Sequence, residues 1–104
     1  MDLNGRTVLI TGASSGIGRA CAAAFAQSGC RLLLMARRRD RLELLSEELR
    51  SRFGTEVEIE AFDLRDRQRV ETWLASLPEA WRVIDILVNN AGLARGLSTL
   101  QEGD

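Results

Sequence analysis

Thr11-Gly12-Ala13-Ser14-Ser15-Gly16-Ile17-Gly18 is the stretch that decides the fold. It lies between the apolar run Thr7-Val8-Leu9-Ile10 and an Ala-rich segment with helical spacing, so it reads as the turn from a strand into a helix. Three glycines let the backbone approach a ligand that a Cβ would hold away. The helix that follows offers free amide groups and the positive end of its dipole, which together make an anion site. In this strand–turn–helix setting the anion that fits best is the pyrophosphate of a dinucleotide. A turn built only for packing needs one glycine, and here Gly12, Gly16 and Gly18 are all present. Ser14 and Ser15 add hydroxyls that can reach ribose or phosphate.

Outward from this turn the pattern alternates between strands and helices. A first strand is expected over residues 6–11 and a first helix over 16–28, with Ile17, Ala20, Cys21, Ala24 and Phe25 as its apolar face and Gly29 after its end. The unbroken run Leu32-Leu33-Leu34-Met35 predicts a central parallel strand over 31–36. A second helix is expected from Asp40, with Glu43 completing a capping box and Leu42, Leu45, Leu49 and Phe53 as its buried stripe. Val57, Ile59 and Ala61 alternate with Glu56, Glu58 and Glu60, as an edge strand with a solvated acidic face should. A third helix, capped by Asp66, presents Val70, Trp73, Leu74 and Leu77 and stops at Pro78. Residues 83–89 form a fourth apolar strand, interrupted by Asp85, which is expected to begin the strand or accept backbone hydrogen bonds. Alternating units of this kind define an α/β class: a Rossmann-type three-layer fold with a partial parallel sheet of order 3-2-1-4.

At 104 residues the chain is expected to be a single dinucleotide-binding domain. A net charge of −1 gives no reason to expect nucleic acid or a membrane surface as partner. No apolar run is long enough for a bilayer span, and no basic-plus-apolar leader opens the chain, so a cytoplasmic location is expected. Cys21 and Cys30 have neither metal nor redox spacing and read as two small buried thiols. Trp73 and Trp81 read as packing residues rather than a stacking platform.

The glycine turn, Asp63-Leu64 after strand three and Asn89-Asn90-Ala91-Gly92 after strand four together resemble the short-chain dehydrogenase/reductase family. The likeness covers essentially the whole chain. It implies that Gly12, Ser14, Ser15, Gly16, Ile17 and Gly18 hold the phosphates of a nicotinamide cofactor. It also implies that Asp63 and Leu64 flank the adenine, and that Asn90, Ala91 and Gly92 line the cofactor on its nicotinamide side. Met35-Ala36-Arg37-Arg38, Ser76-Leu77-Pro78 with Trp81, and the run from Ile84 to Ala94 resemble the branch of NADP-dependent 3-hydroxy acid dehydrogenases. That resemblance implies a small hydroxy or carbonyl substrate for a full-length parent.

Cofactor choice follows from residues at the end of strand two. NAD binders of this architecture place a carboxylate there to accept from the ribose hydroxyls. This strand ends in Ala36 and continues Arg37-Arg38-Arg39, with no carboxylate before Asp40. Arg37 and Arg38 are expected to bind the 2′-phosphate of NADP(H), because the guanidinium fork matches phosphate geometry, whereas Arg39 and Arg41 read as solvated charges.

The resemblance also implies a catalytic Ser and a Tyr-x-x-x-Lys pair, and neither belongs to these 104 residues. All fourteen basic residues are arginine, and the sequence has no Lys, Tyr or His. Arginine holds its proton too tightly to relay one. The expectation is therefore an NADP(H)-binding half of an oxidoreductase, truncated before the catalytic segment and inactive alone. A non-catalytic NADP(H)-binding or regulatory module is the alternative. A fourth strand left at the sheet edge also predicts self-association, or dependence on the missing C-terminal half.

Overall fold

The structure, a computed structural model, describes residues 2–63 and 65–90. The elements follow in the order β1 (Thr7–Thr11), α1 (Gly16–Gln27), β2 (Arg31–Ala36), α2 (Arg39–Phe53), β3 (Val57–Ala61), α3 (Arg67–Ser76), a 3-10 turn at Glu79–Trp81, and β4 (Ile86–Asn89). All strand pairs are parallel and the sheet order is β3-β2-β1-β4. This is the expected α/β architecture and strand order.

Side-chain alternation along β1 and β2 divides the core into two layers. Val8 and Ile10 of β1 with Leu32, Leu34 and Ala36 of β2 face α1 and α2, where Ala22, Ala26, Leu42, Leu45 and Leu49 meet them. Leu9, Leu33 and Met35 face the other side, where Phe62, Trp73, Leu77 and Trp81 close over them. Both tryptophans are therefore packing residues. Phe62 and Trp73 meet edge to face at 5.9 Å between centroids, and the Arg31 guanidinium lies 3.9 Å from the Trp81 ring centre.

Several local expectations need correction. The face that α1 turns to the sheet is Gly18, Ala22 and Ala26, while Ile17, Ala20 and Ala24 are exposed and Cys21 and Phe25 half-buried. Small apolar residues stand on several sides of α1, so the spacing alone does not single out the buried strip. The tight contact of Gly18 with Gly12, Ala13 and Asn90 fixes the face instead, and Ala22 and Ala26 follow it at four-residue steps. The α2 capping box is absent. The helix begins one residue earlier, its N-cap Arg38 makes no side-chain cap, and Glu43 pairs with Arg39 at 3.7 Å instead. The α3 cap is as expected, with Asp66 accepting from the Arg69 amide at 3.1 Å. In α3 itself only Trp73 is fully buried, while Val70 and Leu74 are half-buried against the same cluster.

Strand β4 begins at Ile86 rather than residue 83. The reason is Asp85. Its amide donates to the Thr7 carbonyl at 2.9 Å, and its carboxylate accepts from the Thr7 amide at 2.8 Å and from Arg6 at 3.3 Å. The side chain thus takes a hydrogen bond that a regular ladder would give to backbone. On the acidic edge of β3 Glu56 and Glu58 are exposed as expected, Glu56 while pairing with Arg31 at 2.9 Å, whereas Glu60 is half-buried and pairs with Arg39 at 3.0 Å. Cys30 is buried and donates to the Leu3 carbonyl, Cys21 is half-buried, and both thiols are free. Among the described residues no helix is long and apolar enough to cross a membrane, and no group of His, Cys, Asp or Glu could hold a metal.

Candidate functional site

The carboxyl ends of β1, β2, β3 and β4 bring together the glycine turn, the arginine run, Asp63 and Asn90. Open parallel sheets bind ligands at this rim, where helices begin and their amides face outward. Gly12 leaves β1 in the left-handed region, with φ of 64°, which a residue with a Cβ adopts only under strain. Ser15 then caps α1, its Oγ accepting from the Gly18 amide at 3.3 Å and donating to the Gly12 carbonyl at 3.0 Å.

Asn90, 1% exposed, closes the arrangement from the end of β4. Its Nδ2 donates to the Gly12 carbonyl at 2.7 Å and to Ser15 Oγ at 2.6 Å. The Gly12 carbonyl also accepts from the Ser15 amide at 3.2 Å. The Ser15 hydroxyl is therefore engaged by the turn itself. Ser14 is half-buried beside it. Asn90 Oδ1 is buried and has no hydrogen-bond partner among the described residues.

The glycines of α1 differ in kind. A Cβ on Gly18 would strike the Gly12 carbonyl oxygen and come within 2.8 Å of Ala13 Cα and Asn90 Nδ2. Gly18 is thus required for the turn to lie against the helix. A Cβ on Gly16 would meet nothing within 4 Å. Gly16 faces open space among the described residues, at the start of a helix whose first amides have no carbonyl four residues back within the helix; of these the Gly18 amide is capped by Ser15 and the Arg19 amide donates to the Ser15 carbonyl. Ile17 is exposed at the same corner.

The arginines after β2 are not equivalent. Arg37 is exposed and has no ion pair among the described residues. Arg38 Nε lies 3.5 Å from Asp40 Oδ1, with both side chains mostly exposed. Arg39 is held by Glu60 and Glu43, so it braces α2 to β3 rather than standing free in solvent. Asp63, one residue beyond the Phe62 amide that donates to the Ala36 carbonyl, is clasped by Arg65. Arg65 Nη2 lies 2.8 Å from Oδ2 and Nε 3.1 Å from Oδ1, while its amide donates to Oδ1 at 2.9 Å. These bonds, with the nearby Arg37 charge as a smaller contribution, hold the Asp63 carboxyl far below the usual range.

The structure thus gathers Gly12, Ser14, Ser15, Gly16, Ile17, Gly18, Arg37, Arg38, Asp63 and Asn90 along one rim. Leu64, Ala91 and Gly92 lie outside the described residues. Three side chains at this rim were given no site role in the sequence reading, although Thr11 and Asn89 belong to the quoted motifs. Thr11 Oγ1 donates to Asn89 Oδ1 at 3.0 Å, joining the end of β1 to that of β4. Arg65 is the third, and its signal was the Asp-x-Arg spacing.

A parallel sheet of this order, with a glycine turn entering a helix at its carboxyl rim, defines the class of dinucleotide-binding α/β proteins. The short chain dehydrogenase family profile matches residues 6–104, and the chain belongs to that family. It is 46% identical over 90 residues to an NADP-dependent 3-hydroxy acid dehydrogenase of Salmonella typhi, covering 86% of this chain and 35% of that protein. It is 50% identical over 90 residues to a serine 3-dehydrogenase of Rhizobium radiobacter, covering 86% of this chain and 34% of that protein. Among solved structures, L-sorbose reductase from Gluconobacter frateurii complexed with NADPH and L-sorbose superposes with a TM-score of 0.75 at 37% identity. That match covers 84% of this chain and 34% of the reductase. The chain therefore spans about a third of the length of the relatives it matches.

Proposed function

We propose that this chain is the NADP(H)-binding half of a short-chain oxidoreductase. The parent reaction is the reversible oxidation of a hydroxyl to a carbonyl, of the 3-hydroxy acid type. The observation that carries the reading is the contrast between Gly18 and Gly16. One glycine is needed to seat the turn, and the other faces open space where a backbone-hugging ligand fits. The buried Asn90 Oδ1 at the same turn, unpartnered among the described residues, is a second fit, since a ligand or a neighbouring amide can supply its donor.

In this reading the glycine turn and the first amides of α1 bind the pyrophosphate. Arg37, with Arg38 beside it, takes the 2′-phosphate, and Asp63 with Leu64 flanks the adenine. Asn90, Ala91 and Gly92 line the nicotinamide side. The cofactor, when bound, supplies hydride chemistry. This chain's residues bind and orient. Lys, Tyr and His, the usual proton-transfer side chains, are absent from the sequence, and among the described residues the rim carboxylates Asp40 and Asp63 are paired with Arg38 and Arg65. The acid or base for the substrate hydroxyl comes from elsewhere in a whole dehydrogenase, and the chain alone binds NADP(H) without turnover. The β4 edge, with Leu87 62% exposed, supports association of the isolated chain along that strand.

The test is titration of NADPH and NADH against wild type and the Arg37→Gln/Arg38→Gln double variant. The double variant should lose about one to two decades of NADPH affinity and almost none for NADH. Equal losses for both cofactors would sink the reading.

A further inference from the structure

Arg37 can serve a 2′-phosphate only if the carboxylate beside it does not capture it first. That carboxylate is Asp63. The ladder places it beside Arg37: Ala36 stands opposite Ala61, and the Phe62 amide donates to the Ala36 carbonyl at 3.0 Å, so the two strands release residues 37 and 63 at the same corner. Asp63 feels the Arg37 charge, yet its hydrogen bonds go to Arg65. The Arg65 clasp is bidentate through Nε and Nη2 and is reinforced by the Arg65 amide on Oδ1 at 2.9 Å. A planar fork of this kind satisfies both carboxylate oxygens at once. Arg37 is left without an ion pair among the described residues.

We propose that Arg65 is a specificity-determining positioning residue of this site: by occupying Asp63 it keeps Arg37 available for a phosphorylated ribose. The proposal rests on the NADP(H) reading above. It assigns the NADP(H) preference to a residue two positions beyond Asp63, outside the arginine run itself. Without Arg65, the Asp63 carboxylate would repel the 2′-phosphate and draw Arg37 toward itself. Both effects penalise NADPH and leave NADH untouched, because only NADPH carries the additional dianion.

The experiment measures the ratio of NADPH to NADH affinity by fluorescence titration at low ionic strength. It uses the complete chain as wild type, Arg65→Gln, Asp63→Asn and the double variant. Arg65→Gln should lower the ratio by about twofold to fivefold, the range expected of an exposed charge pair. The double variant should restore the ratio even if both affinities fall, since an uncharged residue 63 no longer competes for Arg37. The Arg65→Gln loss should shrink in high salt. A wild-type chain that prefers NADPH while Arg65→Gln keeps its ratio would overturn the role of Arg65 alone. Equal loss of both cofactors in Arg65→Gln would do the same, reducing Arg65 to a structural brace. A wild-type chain with no preference for NADPH would overturn the NADP(H) reading and this proposal together.

Discussion

Asn90 Nδ2 lies 2.7 Å from the Gly12 carbonyl oxygen and 2.6 Å from Ser15 Oγ, so the end of β4 holds the turn after β1 in place. The two residues stand 78 positions apart in sequence. The Gly12 carbonyl is the hub, taking hydrogen bonds from Asn90, the Ser15 hydroxyl and the Ser15 amide. Replacing Asn90 by Ala strips one donor from each acceptor inside a buried corner. We expect a loss of about 1–3 kcal/mol of stability, read by urea denaturation, with NADPH affinity falling alongside. An unchanged unfolding midpoint would show that the turn holds itself.

The two helix glycines should part company under the same substitution. Gly18→Ala forces a methyl against the Gly12 carbonyl and Ala13 Cα, both backbone atoms that cannot swing aside. The overpacking should cost about 1–3 kcal/mol. Gly16→Ala meets open space, so its melting temperature should match or slightly exceed wild type while NADPH affinity drops. Thermal melts paired with titrations separate the two; a Gly16→Ala chain that keeps full affinity contradicts a ligand at that spot.

The arginines should rank by how engaged they are. Arg37 is unpaired among the described residues, Arg38 leans on Asp40 at 3.5 Å, and Arg39 is tied to Glu60 at 3.0 Å. Single Gln variants should therefore reduce NADPH affinity most at Arg37, less at Arg38 and least at Arg39. Arg39→Gln should instead show a small loss of stability from the lost surface pair, up to about 1 kcal/mol. A greater affinity loss at Arg39 than at Arg37 would reverse the assignment.

Asp85 should make the sheet acid-sensitive. The Thr7 amide, and secondarily Arg6, hold its carboxyl below the ordinary value. A carboxyl whose folded pKa lies below its unfolded one adds stability that is complete above the unfolded value of about 3.9. That stability is lost as the pH falls through the folded pKa. Asp63, lowered by Arg65, acts in the same direction. Stability measured by denaturant midpoint should fall below about pH 4, and Asp85→Asn should flatten that fall. An equally steep acid limb in Asp85→Asn would assign it to other carboxylates.

The isolated chain should associate through β4. Leu87 is 62% and Val83 70% exposed, and β4 is the outer strand of the sheet among the described residues. Sedimentation velocity should reveal species above the monomer, and Leu87→Arg should shift the distribution toward monomer. A dilute, cooperatively unfolding monomer for wild type would refute it.

The sequence by itself determined the architecture, because strand and helix periods are local signals. Leu32-Leu33-Leu34-Met35 between its turn signals reads as a strand covered on both faces, and the alternation of Glu56, Val57, Glu58 and Ile59 marks an edge. The glycine turn and Asn89-Asn90 were likewise legible, as unusual residue types at fixed spacing. Tertiary structure alone decided which side chains are already spent. Ser15 turns its hydroxyl into the turn, Arg39 is claimed by Glu60 on another strand, and Arg65 claims Asp63 before Arg37 can. It also decided the inner face of α1, where Gly18, Ala22 and Ala26 are buried while Ile17 and Ala24 stay exposed. The physical reason is that composition reports which groups a chain has. Which of them remain free for a ligand depends on partners that only folding brings within hydrogen-bond range.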